Sequence, residues 1–249
     1  MIMKAMIFAA GIGSRLKPFT DIHPKALAPV NGIPVLERNI LKLKDAGITE
    51  IVINVHHFPD QIIDFLRANN NFGCTISISD EGEQLLDTGG GLLKAASLLK
   101  SGSQPVLLHN ADIITDFPIE EMIECHKASG SDVTLMVDDR ISSRMLYFDS
   151  NNMLQGWQNI STGQCRPAGF VPGRLRPLAF GGVHIMNPSV LSLLEDYSSP
   201  DIPFSIMPFY LDSLEKLKIT GYTPSSVFRW HDIGTPEKLA AANISFSSK

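Results

Sequence analysis

Over its first half the chain alternates short apolar runs with stretches in which apolar residues recur every three or four positions. The run KAMIFA (4–9) reads as a buried strand and leads into a glycine-rich loop. In PVLERNILKLKDAG, Pro34 suits a first helical turn, Val35, Leu36, Ile40 and Leu43 share one helical face, and Gly47 is a C-terminal stop. EIVINV is the next strand, PDQIIDFLRANN a helix with Ile62, Ile63 and Leu66 on one face, and CTISIS a strand. GGLLKAASLLK and PIEEMIECHKASG read as helices, PVLLHN and DVTLMV as strands. This βαβα alternation predicts an α/β fold, a Rossmann-like mostly parallel sheet with helices on both faces. Such sheets bind ligands outside the carboxyl ends of their strands, which is where the unusual residues of this chain fall.

After about Asp138 the pattern loosens. MLYFDSNNMLQGW predicts a hairpin turning at Ser150, Asn151 and Asn152, and residues 161–177 form a Gly/Pro/Arg-rich loop without a period. LAFGGVHIM, KLKITGYT and VFRWHDI read as strands, and TPEKLAAANIS as a closing helix. No repeat, low-complexity segment or linker interrupts the chain, so a single domain over 1–249 is expected, with 139–231 a β-rich insertion that walls the site.

Composition narrows the partners. The 249 residues are 44% hydrophobic and 19% charged, with a net charge of −5 and a pI of about 5.8. This balance argues against nucleic acid or an anionic membrane as partner. Cys74, Cys125 and Cys165 lie far apart without metal or disulfide spacing, which predicts reduced thiols. AMIFAA is too short for a signal-peptide core and no run is long enough to span a bilayer, so a cytoplasmic protein is expected. His56 and His57 are adjacent at a strand end and point to opposite faces, which predicts one packed and one surface histidine rather than a metal pair.

The candidate chemistry begins in AAGIGSRLKPFTDIHPK (9–25), a glycine loop behind a strand with Arg15 and Lys25 along it. A dinucleotide fingerprint requires glycine where Leu16 stands, and a Walker loop is absent. What remains is a loop whose amides wrap a polyphosphate while a planar Arg fork and a point-charge Lys sit farther along. A glycine-rich turn with two solvated cations fits the same spacing. Asp112 follows PVLLHN and Asp232 follows VFRWH, so two carboxylates fall at strand ends, although Asp112 also suits an N-cap or a turn. DTGGG (87–91) reads either as a flexible lead into a helix capped by Asp87 or Thr88, or as a flat surface for a base.

Together AAGIGSRLKPFT…HPKAL, DTGGGLLKA, LLHNADIITD, AFGGVHIM and WHDIGTPEKL resemble the sugar-1-phosphate nucleotidylyltransferases, in chain order and over almost the whole length. EGEQLLDTGGG and WHDIGTPEKL are most similar to the N-acetylmuramate-1-phosphate uridylyltransferase branch of cell-wall recycling. The resemblance implies transfer of a nucleoside monophosphate from a triphosphate to a sugar 1-phosphate, with release of pyrophosphate. It assigns Asp112 and Asp232 to Mg²⁺, Arg15 to the β- and γ-phosphates and Lys25 to the α-phosphate. Ala9, Ala10, Gly11, Gly13, Ser14 and Asn110 would line the nucleotide, Glu81, Thr88 and Gly89 would contact the base, and Gly181 and Gly182 would admit the sugar. UTP is favoured over GTP, and N-acetylmuramate or a related hexose 1-phosphate is the expected acceptor, in a monomer or small homo-oligomer. Two departures stand out. Ala111 replaces a more usual glycine, and GWQNIST places Trp157 or Gln158 where relatives carry a sugar-phosphate lysine. Cationic help would then come from Arg140, Arg144 or the arginines at 166, 174 and 176, the last three being candidates for the lactyl carboxylate of muramate. A non-catalytic nucleotide-sugar sensor is the rival reading, disfavoured by the joint presence of Arg15, Lys25, Asp112 and Asp232.

Overall fold

The computed structural model describes residues 3–100 and 102–247. In chain order the strands and helices begin with β1 (Lys4–Phe8), β2 (Pro29–Val30), β3 (Ile33–Pro34), α1 (Val35–Asp45), β4 (Glu50–Val55), α2 (Pro59–Ala68) and β5 (Thr75–Asp80). Next come α3 (Asp87–Leu99), β6 (Val106–Asn110), β7 (Ile113–Thr115), α4 (Ile119–Ser129) and β8 (Val133–Asp138). The second half holds β9 (Arg144–Phe148), β10 (Leu154–Asn159), β11 (Cys165–Arg166), β12 (Arg176–Met186), α5 (Pro188–Tyr197), α6 (Ile206–Asp212), β13 (Ile219–Tyr222), β14 (Trp230–Asp232) and α7 (Pro236–Ser245).

The apolar runs pair as their continuous hydrophobicity requires of strands covered on both faces. β5, β4, β1 and β6 lie side by side in parallel. β12 then runs antiparallel to β6 and to β8, and β13 is parallel to β8. Two apolar clusters fill the two sides of this sheet. One gathers Leu92, Leu99, Val190, Leu194 and Phe209 of α3, α5 and α6. The other gathers Leu36, Ile40, Leu43, Ile62, Leu66 and Met122 of α1, α2 and α4. No helix among the described residues is long and apolar enough to cross a membrane.

The 139–231 segment is less exclusively β than its composition suggests. β9 and β10 form the expected hairpin, and β9 continues onto the first residues of β12. The rest of β12 belongs to the main sheet, between β6 and β8. The segment also holds α5 and α6. α5 starts with Pro188 in its first turn and buries Val190, Leu191 and Leu194, a helical pattern visible in the sequence. α6 is seven residues long with Pro208 inside it, so it leaves almost no periodic signal. A separate two-stranded ribbon, β7 with β14, crosses the carboxyl ends of the parallel strands. It brings residue 232 opposite residue 113.

Candidate active site

The glycine loop leaves β1 between the ends of two neighbours. The Ala9 amide donates to the Asn54 carbonyl at the end of β4, and Ala111 N–H donates to Phe8 O. Gly13 has φ +67°, and a Cβ there would lie 2.9 Å from Thr20 Cγ2 and 3.0 Å from Lys25 Cβ. Only glycine meets both demands. The Thr20 hydroxyl donates to the Gly13 carbonyl at 2.9 Å and fixes the bend. A Cβ on Gly11, by contrast, would meet nothing within 4 Å. The loop therefore has open space on its Gly11 side.

That space is a cleft of about 550 Å³ whose wall includes Ala9, Ala10, Gly11, Gly13, Ser14 and Glu81. A second cavity of about 580 Å³ adjoins it, and Arg15, Asn110 and Asp112 border both. Asn110 also borders a third, smaller chamber of about 230 Å³. The residues at the end of β6 thus stand where the three spaces meet.

The two aspartates are brought together by backbone pairing. The amide of Ile233 donates to the carbonyl of Asp112 at 3.0 Å, and Asp232 is in register with Ile113. Each carboxylate takes a lysine: Lys25 Nζ is 2.5 Å from Asp112 Oδ2, and Lys238 Nζ is 2.5 Å from Asp232 Oδ2. Gly234 packs among these groups, since a Cβ there would lie 2.9 Å from Asp232 Oδ1, 3.4 Å from an Arg15 amino nitrogen and 3.6 Å from Lys25 Nζ. Burial alone would raise the Asp232 pKa. The hydrogen bonds from Lys238 and the Gly234 amide, with the charges of Lys238 and Lys25, outweigh it and hold the carboxyl below its ordinary range.

No cluster of three or more His, Cys, Asp or Glu side chains forms among the described residues. Two aspartates beside an open glycine loop nevertheless fit Mg²⁺, a hard cation that takes oxygen ligands and draws few of them from protein. The paired lysines show that both carboxylates are oriented to accept positive charge. Lys238 was not singled out from the sequence. A lysine in the first turn of a terminal helix looks like any solvated cation until the strand before it is placed.

Several expected contacts are relocated. DTGGG does not precede α3 but forms its first turns, with all three glycines buried. A Cβ on Gly89 would fall 2.3 Å from the Phe204 ring, and the Gly89 amide donates to Phe204 O at 2.8 Å. Gly89 thus packs against Phe204 and does not border the cleft. Glu81 borders the cleft, but its carboxylate accepts from Asn54 Nδ2 at 2.9 Å and from the Leu86 amide at 2.5 Å, so it shapes the pocket. Thr88 borders the cleft and accepts from the Ile206 amide at 3.0 Å. Asp87 beside it has φ +59° and also faces the cleft.

On the other side, Gly182 lines the second cavity with φ +77°. Gly181 does not: a Cβ there would fall 1.9 Å from Met136 Sδ. Neighbours in β12 face opposite sides, so the two glycines open in opposite directions. The Gly181 carbonyl accepts from Trp230 Nε1 at 2.8 Å. Arg140 stacks on the Trp230 ring at 3.7 Å, pairs with Asp138 at 2.5 Å and donates to the Phe180 carbonyl, placing its guanidinium in the wall of the same cavity. Trp157 borders the third chamber, whereas Gln158 faces away and accepts from the Tyr147 hydroxyl at 2.7 Å. Arg166 pairs in register with Trp157 one strand farther out, and neither it nor Arg174 or Arg176 borders the three spaces. His56 and His57 are both half-buried, and each bonds a backbone carbonyl, Gly82 and Thr20 respectively. The expected surface histidine is absent from this pair.

Comparison with known proteins agrees with this geometry. The nucleotidyl transferase family model matches residues 4–147. N-acetylmuramate alpha-1-phosphate uridylyltransferase of Caulobacter vibrioides is 33% identical over 95% of this chain and 94% of its own. Mannose-1-phosphate guanyltransferase of Debaryomyces hansenii is 29% identical over 97% of this chain, which spans only 64% of that longer relative. Among solved structures, a putative glucose-1-phosphate thymidylyltransferase from Bacillus anthracis superposes with a TM-score of 0.79 over 98% of this chain and 94% of its own, at 20% identity. A mostly parallel sheet ending in a glycine loop, two adjoining carboxylates and these relatives lead to one conclusion: the chain belongs to the nucleotidyl transferase family, within the group of sugar-1-phosphate nucleotidyltransferases.

Proposed function

We propose that the chain transfers a uridylyl group from UTP to N-acetylmuramate 1-phosphate or a related hexose 1-phosphate, releasing pyrophosphate. The observation that carries this reading is the meeting of Arg15, Lys25, Asp112 and Asp232 around Gly234, where the two larger cavities join. One cavity has the bare-backbone loop a triphosphate needs, and the other has the cations Arg140 and Lys238 that an acceptor phosphate needs.

In this reading an oxygen of the acceptor phosphate attacks the α-phosphorus in line, the new P–O bond forms, and the bond to the β-phosphate oxygen breaks with its electrons. The nucleophile is already anionic, so no general base is required, and catalysis is positioning and charge neutralisation. Arg15 holds the departing β- and γ-phosphates, while Lys25 meets the charge that builds near the α-phosphate. Asp112 and Asp232 would hold Mg²⁺, which when bound neutralises phosphate oxygens of both substrates. Cytoplasmic cell-wall recycling is the setting this substrate pair implies.

UTP rests on the Caulobacter relative, which matches end to end. With the Gly89 amide bonded to the Phe204 carbonyl, Asp87 and Thr88 are the residues of this turn that line the cleft. The Debaryomyces relative supports a second reading, GTP with mannose 1-phosphate. Pyrophosphate release measured with UTP, GTP, ATP and dTTP against muramate, glucose, mannose and heptose 1-phosphates tests both. Preference for UTP with the muramate phosphate is expected. Preference for GTP with mannose or heptose phosphate selects the second reading, and release with no pair overturns the enzyme reading in favour of a sensor.

A further inference from the structure

β12 breaks its pairing at the edge of the second cavity. Phe180 is in register with Val137 of β8 and His184 with Leu135, so β12 advances four residues while β8 advances two. Gly182, inside the break, has φ +77°. Carbonyls in such a bulge lose their strand partners and need others. Two successive ones find side chains: Phe180 O accepts from the Arg140 guanidinium, and Gly181 O accepts from Trp230 Nε1 at 2.8 Å. The same guanidinium pairs with Asp138 at 2.5 Å and lies 3.7 Å from the centre of the Trp230 ring. Arginine, indole and bulge interlock.

The interlock matters because of where Trp230 stands. β14 is three residues long and pairs with β7 alone, in a ribbon outside the main sheet. A two-stranded ribbon is marginal by itself. Among the described residues, the bond from Trp230 Nε1 to the Gly181 carbonyl is the one hydrogen bond that ties β14 to a strand of the main sheet. Trp230 and Asp232 are two residues apart, so they share a face of the ribbon, and both line the second cavity. The seat of the Trp230 ring thus sets where the strand that carries Asp232 lies.

Resting on the role given to Asp232 above, we propose that Arg140 is a positioning residue for the transfer, acting on Asp232 through the Trp230 ring. A guanidinium stacks on an indole face by cation–π attraction and flat contact, and its fork reaches Asp138 and the Phe180 carbonyl at once. A lysine would supply the charge without the flat face or the second bond. A plain cation for the acceptor phosphate would act on acceptor binding alone. A small displacement of a group that organises charge at the reacting phosphates acts on the chemical step, so the effect of Arg140 belongs mainly in kcat.

The test uses whichever pair of triphosphate and sugar 1-phosphate the wild-type protein turns over best. Arg140→Leu and Trp230→Leu should each lower kcat by about tenfold or more, with a smaller rise in acceptor KM. The double variant should be no slower than the worse single one, since both changes remove one contact. Arg140→Lys, which keeps the charge, and Trp230→Phe, which keeps a ring, should each recover part of the loss. Affinity for the same triphosphate, measured by calorimetry in EDTA, should stay at the wild-type value, because the glycine loop lies in the other cleft. In a Trp157→Phe background Trp230 is the only tryptophan, and Arg140→Leu should raise its quenching by acrylamide. An Arg140→Leu effect confined to acceptor KM, additive losses in the double variant, or unchanged quenching overturns the positioning role and leaves the reaction standing. Loss of triphosphate affinity in both leucine variants overturns it too, in favour of a general loss of fold. Absence of wild-type turnover with every pair overturns the reaction and this inference together.

Discussion

Lys25 and Asp112 are 87 positions apart in the chain, and their charged atoms are 2.5 Å apart in the fold. The pair is largely enclosed, with the lysine side chain 13% and the aspartate side chain 31% exposed. The cation proposed to meet phosphate thus rests on the carboxylate proposed to hold the metal, so the two should separate when substrates bring their own charges. Lys25→Ala should lower kcat more than it raises KM, because its partner in the reaction appears only as charge develops. Steady-state kinetics decide this, and an effect confined to KM would remove Lys25 from its proposed role. Arg15→Lys should also lose activity, since a point charge does not replace a fork.

Asp112→Asn and Asp232→Asn should each reduce turnover by about two orders of magnitude or more, while circular dichroism stays native. A carboxylate at a bound cation supports several kcal/mol of charge stabilisation, and each ~1.4 kcal/mol is a factor of ten. Near-normal rates in both variants at saturating Mg²⁺ would refute the pairing.

Lys238 tests the electrostatics from the other side. Its ammonium helps hold the Asp232 carboxyl below the ordinary aspartate range. Lys238→Ala should let that pKa rise, so the acidic limb of the kcat/KM profile should move to higher pH. An unshifted limb would mean that Asp232 does not control it.

Glycines separate packing from binding. Gly181→Ala drives a methyl group into Met136 and should destabilise the fold by about 1–3 kcal/mol. Gly11→Ala meets open space and should leave the denaturation midpoint unchanged while raising KM for the nucleotide. Equal loss of stability in the two would contradict the open side of the loop.

Acid should unfold this protein through its buried histidines. Burial lowers the pKa of His109 to about 4 and that of His184 to about 3. The unfolded chain binds these protons near 6.5, so the folded state holds fewer of them below that pH. Their contribution is therefore full above about pH 6.5 and is lost as pH falls towards 4. Urea midpoints at pH 7.5 and 5 should show the drop, and His109→Gln should make it shallower. A flat profile in the wild type would show that these rings are hydrated.

Which residues announced themselves in the sequence follows from how local their signal is. The parallel strands were legible as apolar runs, and strand ends are where such sheets bind, so the positions of Arg15, Lys25, Asp112 and Asp232 stood out, while grouping them as one site came from the family resemblance. What Gly89 and Gly181 accommodate lies across the fold, in Phe204 and Met136, and no local signal announces it. Thr88 and Asp87 depend on residues 204–206 for their placement, and α6 there has too few residues to show a period. The choice between Trp157 and Gln158 needed the β9–β10 register, which a one-residue slip would have reversed.

The ribbon of β7 with β14 joins residues that are synthesised far apart in time. Asp112 leaves the ribosome long before Trp230, His231 and Asp232 exist to pair with residues 113–115. The pairings of the main sheet lie in residues that precede 230. A chain halted there still lacks the second carboxylate, Lys238 and the amide that bonds Asp112 O. Asn243 must likewise arrive before its side-chain oxygen can accept from the amide of Asn31. Truncation before residue 230 should therefore spare the pairing of β1, β4, β5 and β6 while removing the residues that complete the proposed site.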